Sequence, residues 1–333
     1  MRRAFRCFST NLILVAAAAV SLLCAHTPPA AAQQKQGGEE IVANLATGRV
    51  VFCVTRDGII VGAMTNDKAE PGSHAPLFVP LVGGHVAVLL GAVEWVEVNS
   101  NKPPVRLDQL LADLPFKAMR STVYSEANEA GDIEGLGMRF LEAFRPVAGL
   151  LHHQVNIKED EPLVQILVIG YEQDYGPEAW LLNYLVQQRE LENNYFDTLV
   201  LRPSYTQLYP PEKGEPRTIV EHRYPSDMPG PTLAQLLGSN DSRLIPIRQE
   251  SPVNGKAAQF ILDGASQKAA SEGVTAFIRG ALTATSPPDT KLTLAILREG
   301  DRLDWIVPPT DTPKKPTEKR ADDAPTLRGP HHQ

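Results

Sequence analysis

Apolar residues occur along this chain in short runs that stop at turn-forming residues, and the runs come in pairs. Val50 to Val54 and Ile59 to Met64 flank Asp57-Gly58, a strong signal for a tight β-turn. Both runs are apolar at nearly every position, so this hairpin is expected to be covered on both faces. A second pair runs from Leu77 to Leu81 and from His85 to Leu90 around Gly83-Gly84. A third runs from Leu163 to Gly170 and from Ala179 to Tyr184 around a turn at Asp174 to Pro177, and a fourth from Leu292 to Leu297 and from Leu303 to Val307 around Arg298 to Asp301. Four such pairs predict two antiparallel sheets.

Helical periodicity fills the intervals. Leu107, Leu110, Leu111 and Leu114 predict a short amphipathic helix limited by Pro115, and Leu136, Phe140, Leu141 and Phe144 predict another ending near Pro146. Residues 255–282 carry Ala258, Ile261, Ala265, Ala269, Phe277, Ile278 and Leu282, a long helical region that Gly273 is expected to divide or kink. This order predicts an α+β fold in which helices cover the outer faces of stacked sheets. From Gln187 to Pro231 the pattern changes: Tyr195, Tyr205, Tyr209 and Tyr224 stand among prolines and charges, as in an ordered insertion packed on its own domain.

The ends of the chain belong to other classes. Arg2, Arg3 and Arg6 precede an apolar run from Leu12 to Leu23 and a small-residue site at Ala30-Ala31-Ala32, the pattern of a secretory signal peptide over residues 1–32 with cleavage before Gln33. The apolar run is shorter than the roughly 20 residues that span a bilayer, so no stable membrane span is expected after cleavage. A linker over 33–43, a single domain over 44–308 and a disordered tail over 309–333, rich in Pro, Lys, Asp and Thr, complete the expected organisation. The expected location is periplasmic or secreted.

Charge and cysteine content narrow the chemistry. The chain holds 32 Lys and Arg against 39 Asp and Glu, and losing Arg2, Arg3 and Arg6 takes the balance from −7 to −10. Such a surface offers no footprint for nucleic acid. Cys7 and Cys24 leave with the signal, so Cys53 stands alone, without an intramolecular disulfide, as a small buried hydrophobe. His152-His153 with Glu159, Asp160 and Glu161 matches no ligand spacing with a mechanism. Glu221-His222-Arg223 is a similar case, His85 is expected to make a structural hydrogen bond, and the terminal His331-His332 is read as incidental. No metal site and no cofactor is expected: the sequence has no Gly-rich phosphate loop, no Gly-x-Ser-x-Gly elbow and no paired-cysteine motif.

Taken together, several segments carry a resemblance. Gly48 to Ala63 resembles the opening hairpin of proteasome-type β subunits, and His85 to Ala92 is similar to that family's next strand. Gln165 to Tyr171 with Gly176-Pro177 resembles its central hairpin, and Leu292 to Leu297 followed by Gly300 its terminal one. The resemblance implies the N-terminal-nucleophile (Ntn) hydrolase fold, a four-layer αββα sandwich, across residues 44–308. It also implies a chemistry in which a Thr, Ser or Cys freed as first residue attacks an amide, its own α-amine serving as base.

The residues that this chemistry requires do not fall where the family has them. The nucleophile position falls on Gly48 or Arg49, with Thr47 just before it. The acid position falls near Met64, with Asp67 farther along, and the lysine position falls between Ala75 and Pro80, where the nearest lysine is Lys68 in the preceding loop. The expectation is therefore a protein of this fold that lacks the usual catalytic residues and acts through binding or assembly, with a peptide or protein ligand and a homo-oligomer as the implied partners. The alternative is a self-processing amidohydrolase or threonine peptidase with Thr47 as nucleophile and Asp67 or Lys68 as helpers. A periplasmic binding module on an unrelated α+β sandwich is a third reading.

Overall fold

In the computed structural model, the opening hairpin forms as its pattern predicts. β1 (Ile41–Ala46) leads through Thr47 into β2 (Gly48–Val54), which pairs antiparallel with β3 (Ile59–Thr65), Val54 opposite Ile59 and Gly48 opposite Thr65. All but Arg49 and Thr65 of β2 and β3 are buried, so both faces of this hairpin are covered. The structure describes residues 41–65, 73–81, 85–98, 101–114, 131–150, 161–172, 176–191, 195–200, 203–211, 219–300 and 302–310. All lie within one compact unit, Glu39–Gln333. The expected signal peptide, most of the linker and all but the first residues of the tail lie outside them, as do His152, His153, Glu159, Asp160, His331 and His332.

The fold is α+β with two antiparallel sheets. The remaining strands are β4 (Leu77–Pro80), β5 (Val86–Glu97), β6 (Val105–Arg106), β7 (Val164–Glu172), β8 (Gly176–Tyr184), β9 (Val186–Leu191), β10 (Tyr195–Val200), β11 (Ser204–Tyr209), β12 (Val220–Tyr224), β13 (Leu292–Arg298) and β14 (Arg302–Val307). One sheet runs β1-β5-β7-β8-β11, with β4 and β6 also on β5; the other runs β12-β2-β3-β13-β14; β9 and β10 pair apart from both. The four expected hairpins are β2-β3, β4-β5, β7-β8 and β13-β14. Within 187–231, β11 extends the first sheet at β8 and β12 extends the second at β2.

Alternation along the strands sorts the core into three clusters. Val50, Phe52, Ile59 and Val61 of the second sheet meet Val86, Val88, Leu167 and Ile169 of the first. The opposite side of β2 and β3, with Val51, Cys53 and Ile60, packs on Leu237, Ile261, Phe277, Ile278 and Leu282 of the helices. The opposite side of β5 and β7, with Leu89, Ile166 and Val168, packs on Leu107, Leu111, Leu136, Phe140 and Phe144. Each large apolar side chain so buried is worth about 1.5–3 kcal/mol.

The helices follow apolar periodicity but not every expected boundary. They are α1 (Leu107–Ala112), α2 (Gly131–Leu150), α3 (Leu233–Gly238), α4 (Ile245–Gln249), α5 (Pro252–Leu262) and α6 (Ser271–Thr285). Helix α2 passes Pro146 and ends at Leu150. A proline removes one backbone hydrogen bond, and a helix anchored by fully buried Leu136, Phe140 and Phe144 carries that loss. The long helical region is not divided at Gly273, which lies inside α6. It breaks at Gly264, whose φ of 71° is the left-handed turn that stops a helix. There Ala265 N–H donates to Phe260 O at 2.8 Å and Gly264 N–H to Ile261 O at 3.3 Å, capping α5.

Candidate functional site

Thr47 occupies the point where the chain leaves one sheet for the other, since β1 pairs with β5 and β2 with β3. Its amide N–H donates to His74 O at 3.1 Å, while His74 N–H donates to Leu45 O at 2.8 Å, which clamps the crossing from the side. The residue is only 8 % exposed, and its Oγ1 has no hydrogen-bond partner among the described residues. Nearby, Glu94 Oε2 accepts from Asn44 Nδ2 at 2.6 Å and lies 3.4 Å from His74 Nε2. Asp67 and Lys68 lie outside the described residues. Of the three residues expected to carry an Ntn chemistry, Thr47 is therefore placed, and as an internal residue its nitrogen is an amide rather than the free amine that the chemistry uses.

Two residues beyond Thr47, the Arg49 side chain lines a pocket of about 230 Å³ at one end of the second sheet. Arg223 and Arg243 line it too, with the hydroxyl residues Thr65, Thr285 and Ser286, the 228–231 loop and the apolar side chains of Met64 and Leu236. Glu221, its side chain 4 % exposed, organises this wall. Its Oε1 accepts from Arg223 Nε at 2.8 Å and lies 3.9 Å from Arg49 Nη1, and its Oε2 accepts from Leu233 N–H at 2.5 Å. Arg223 also donates to the carbonyls of Met228, Gly230 and Pro231 at 3.1, 2.7 and 2.7 Å, which laces that loop to β12. Arg49 Nη2 donates to Ser286 Oγ at 3.3 Å, and Arg243 forks onto Asp241 at 3.0 and 2.7 Å. Among the described residues, the pocket lining holds these three guanidiniums and no carboxylate.

The histidines singled out in the sequence separate into distinct roles. His222 lies between Glu221 and Arg223, yet strand alternation turns it the other way, where its Nε2 meets Gln165 Oε1 of the first sheet at 2.8 Å. Burial pushes its pKa down to about 4. His85 is buried just before β5, and its Nε2 lies 2.8 Å from Glu178 Oε1 on β8, the structural hydrogen bond that its position suggested. Trp180 Nε1 donates to the other oxygen of Glu178 at 2.9 Å. Burial would raise the Glu178 carboxyl, but the bonds from His85 and Trp180 outweigh it and hold the group below its usual range. Cys53 is fully buried, and burial pushes its thiol up to about 12 against a weaker hydrogen bond from Ser266.

Sequence reasoning did not find the arginine wall or the carboxylates around His85. Arg49, Arg223 and Arg243 have no common spacing, and Glu172 and Glu178 stand on either side of a hairpin turn, far in sequence from His85. One signal was present: Gly170 ends the largely apolar run from Leu163, and a glycine within a strand marks a close approach. Here it is the His85 ring that approaches, since a Cβ on Gly170 would sit 2.1 Å from its Cδ2.

No protein-family model and no curated protein matches the chain. Among the described residues, no helix is long and apolar enough to cross a membrane.

Proposed function

We propose that this is a periplasmic or secreted protein of proteasome-like αββα architecture that works by binding a peptide through its carboxylate rather than by cutting it. The four-layer order is supported by the three clusters, one shared by the two sheets and one between each sheet and its own set of helices. The observation that carries the binding reading is the pocket of Arg49, Arg223 and Arg243 with Thr65, Thr285 and Ser286. Guanidinium forks and hydroxyls are the donors that recognise a carboxylate, and Glu221 holds two of the arginines in place before any ligand arrives. Non-catalysis is supported by the chain upstream of Thr47, where β1 is paired with β5 from Ile41 to Ala46 and Ala46 is fully buried.

A second reading has its own observation. Thr47 Oγ1 is buried with no hydrogen-bond partner among the described residues, the condition of a nucleophile whose base has yet to be freed. Hydrolysis of the Ala46–Thr47 bond would consume one water, release the Ala46 carboxylate and free the Thr47 amine, which would then take the Oγ1 proton. Intact mass of the purified mature protein separates the two readings. A single species beginning at Gln33 supports binding; a fragment beginning at Thr47, abolished in Thr47→Ala, overturns it. Titration with a short peptide bearing a free C-terminus should give saturable binding that is lost when the peptide is amidated and when Arg49 is replaced by Ala. Equal binding of both peptide forms would remove the pocket from the account.

A further inference from the structure

We propose that His85, Glu172 and Glu178 form a binding site for a divalent first-row transition cation on the first sheet, independent of the arginine pocket. Strand register builds the cluster. On β5, Val86 lies opposite Ile169 of β7, so His85 falls beside Gly170. Gly170 lies opposite Glu178 of β8, and Glu172 lies opposite Gly176. Alternation puts positions 170, 172 and 178 on one face, and Gly170 offers no side chain to fill it. The His85 ring occupies that space and reaches across β7 to Glu178.

The ligand atoms are close enough to share an ion. One nitrogen of His85 and one carboxylate oxygen each from Glu172 and Glu178 all lie within 4.8 Å of one another. Donors about 2.1 Å from a tetrahedral zinc ion stand roughly 3.4 Å apart, so no pair of these atoms has to close by more than about 1.4 Å. One imidazole and two carboxylates are a set that zinc and manganese accept, with water completing the coordination. The surroundings favour a fixed geometry. The His85 side chain is completely buried, and the Trp180 indole ties down Glu178 Oε2 while Oε1 faces His85, the outer-shell orientation that ion sites use. Ligation through Nε2 takes the neutral imidazole as the tautomer with its single proton on Nδ1, and the contact between Nε2 and Glu178 Oε1 at 2.8 Å gives way to one bond from each to the cation.

The test uses the full mature chain after dialysis against a chelator. Zinc titrated by calorimetry should bind at one ion per chain, and cobalt as a spectroscopic probe should give visible d–d absorption. Glu172→Gln, in a partly exposed position and checked for fold by circular dichroism, should weaken zinc at least about tenfold, and His85→Gln should do the same. Gly170→Ala should weaken it by displacing the ring. A double His331→Ala, His332→Ala variant should bind as the parent does. Absence of saturable binding, or binding unchanged by Glu172→Gln, or binding abolished by the tail substitutions, would overturn the proposal.

Discussion

Acidification from pH 7 to pH 4 should strip about 3 kcal/mol of stability from this protein through His222 alone. The residue sits on β12 of the second sheet, and its Nε2 meets Gln165 Oε1 of the first at 2.8 Å. Gln165 is itself oriented, because its Nε2 donates to Asn183 Oδ1 at 2.8 Å. The histidine must therefore donate through Nε2, leaving Nδ1 as the site of any further proton. Burial lowers the pKa from 6.5 to about 4. A group depressed in this way takes its proton in the unfolded chain first, so stability falls once the pH drops below 6.5 and the loss levels off near 4, where the folded form is protonated as well. At about 1.4 kcal/mol per tenfold difference in proton affinity, the loss reaches about 2 kcal/mol at pH 5 and about 3 kcal/mol at pH 4. Urea unfolding of the parent and of His222→Gln at pH 7, 6, 5 and 4 isolates this contribution, because carboxylates titrate alike in both chains and cancel in the difference. The stability advantage of histidine over glutamine should shrink by those amounts. Parallel stability curves, or a His222 midpoint near 6.5 by NMR, would refute the account.

Three other outcomes follow from the same packing. A thiol reagent at pH 8 should leave Cys53 of the folded mature chain untouched and label one equivalent in urea, since the thiol is fully buried and raised to about 12; rapid labelling of the native protein would mean that β2 opens. Asp57 in the first hairpin turn accepts from Ser271 N–H at 2.7 Å and from Ser271 Oγ at 3.0 Å, so it caps α6 from a distant part of the chain. Asp57→Ala should cost about 1 kcal/mol in thermal or urea unfolding and Asp57→Asn less, with the parent's advantage present above the ordinary carboxylate pKa and fading only as pH falls below it, because burial, which raises the group, is outweighed by the bonds to Ser271. Tyr184 is fully buried and its OH donates to Gly137 O of α2 at 2.9 Å; Tyr184→Phe should cost about 1 kcal/mol, and an unchanged unfolding midpoint would show that bond to be idle.

Much of the scaffold was legible because its signals are local. The runs around Asp57-Gly58 and Gly83-Gly84 and the two later hairpins carry their own β propensity and turn chemistry, and each appears as a pair of adjacent strands. The β12 segment, Val220-Glu221-His222-Arg223-Tyr224, is polar at its three central positions and fits a strand or a loop alike; it is a strand because β2 offers it an edge. The break in the long helical region was misplaced for a related reason. Gly264 and Gly273 are equivalent to a periodicity argument, and only the capping bonds at Gly264 distinguish the one that stops a helix.

The sites divide along the same line. Apolar alternation and turn residues determined, by themselves, that this chain builds antiparallel hairpins covered by helices, because burial of apolar surface and turn geometry depend on residues a few positions apart. The tertiary structure decided that Thr47 lies buried at a crossing between sheets, that Arg49, Arg223 and Arg243 share a pocket, and that His85 reaches Glu178 over Gly170. Those juxtapositions join positions from about 20 to nearly 200 residues apart. They depend on strand order and register, which are set by the packing of the whole sheet and leave no periodic trace in any one segment.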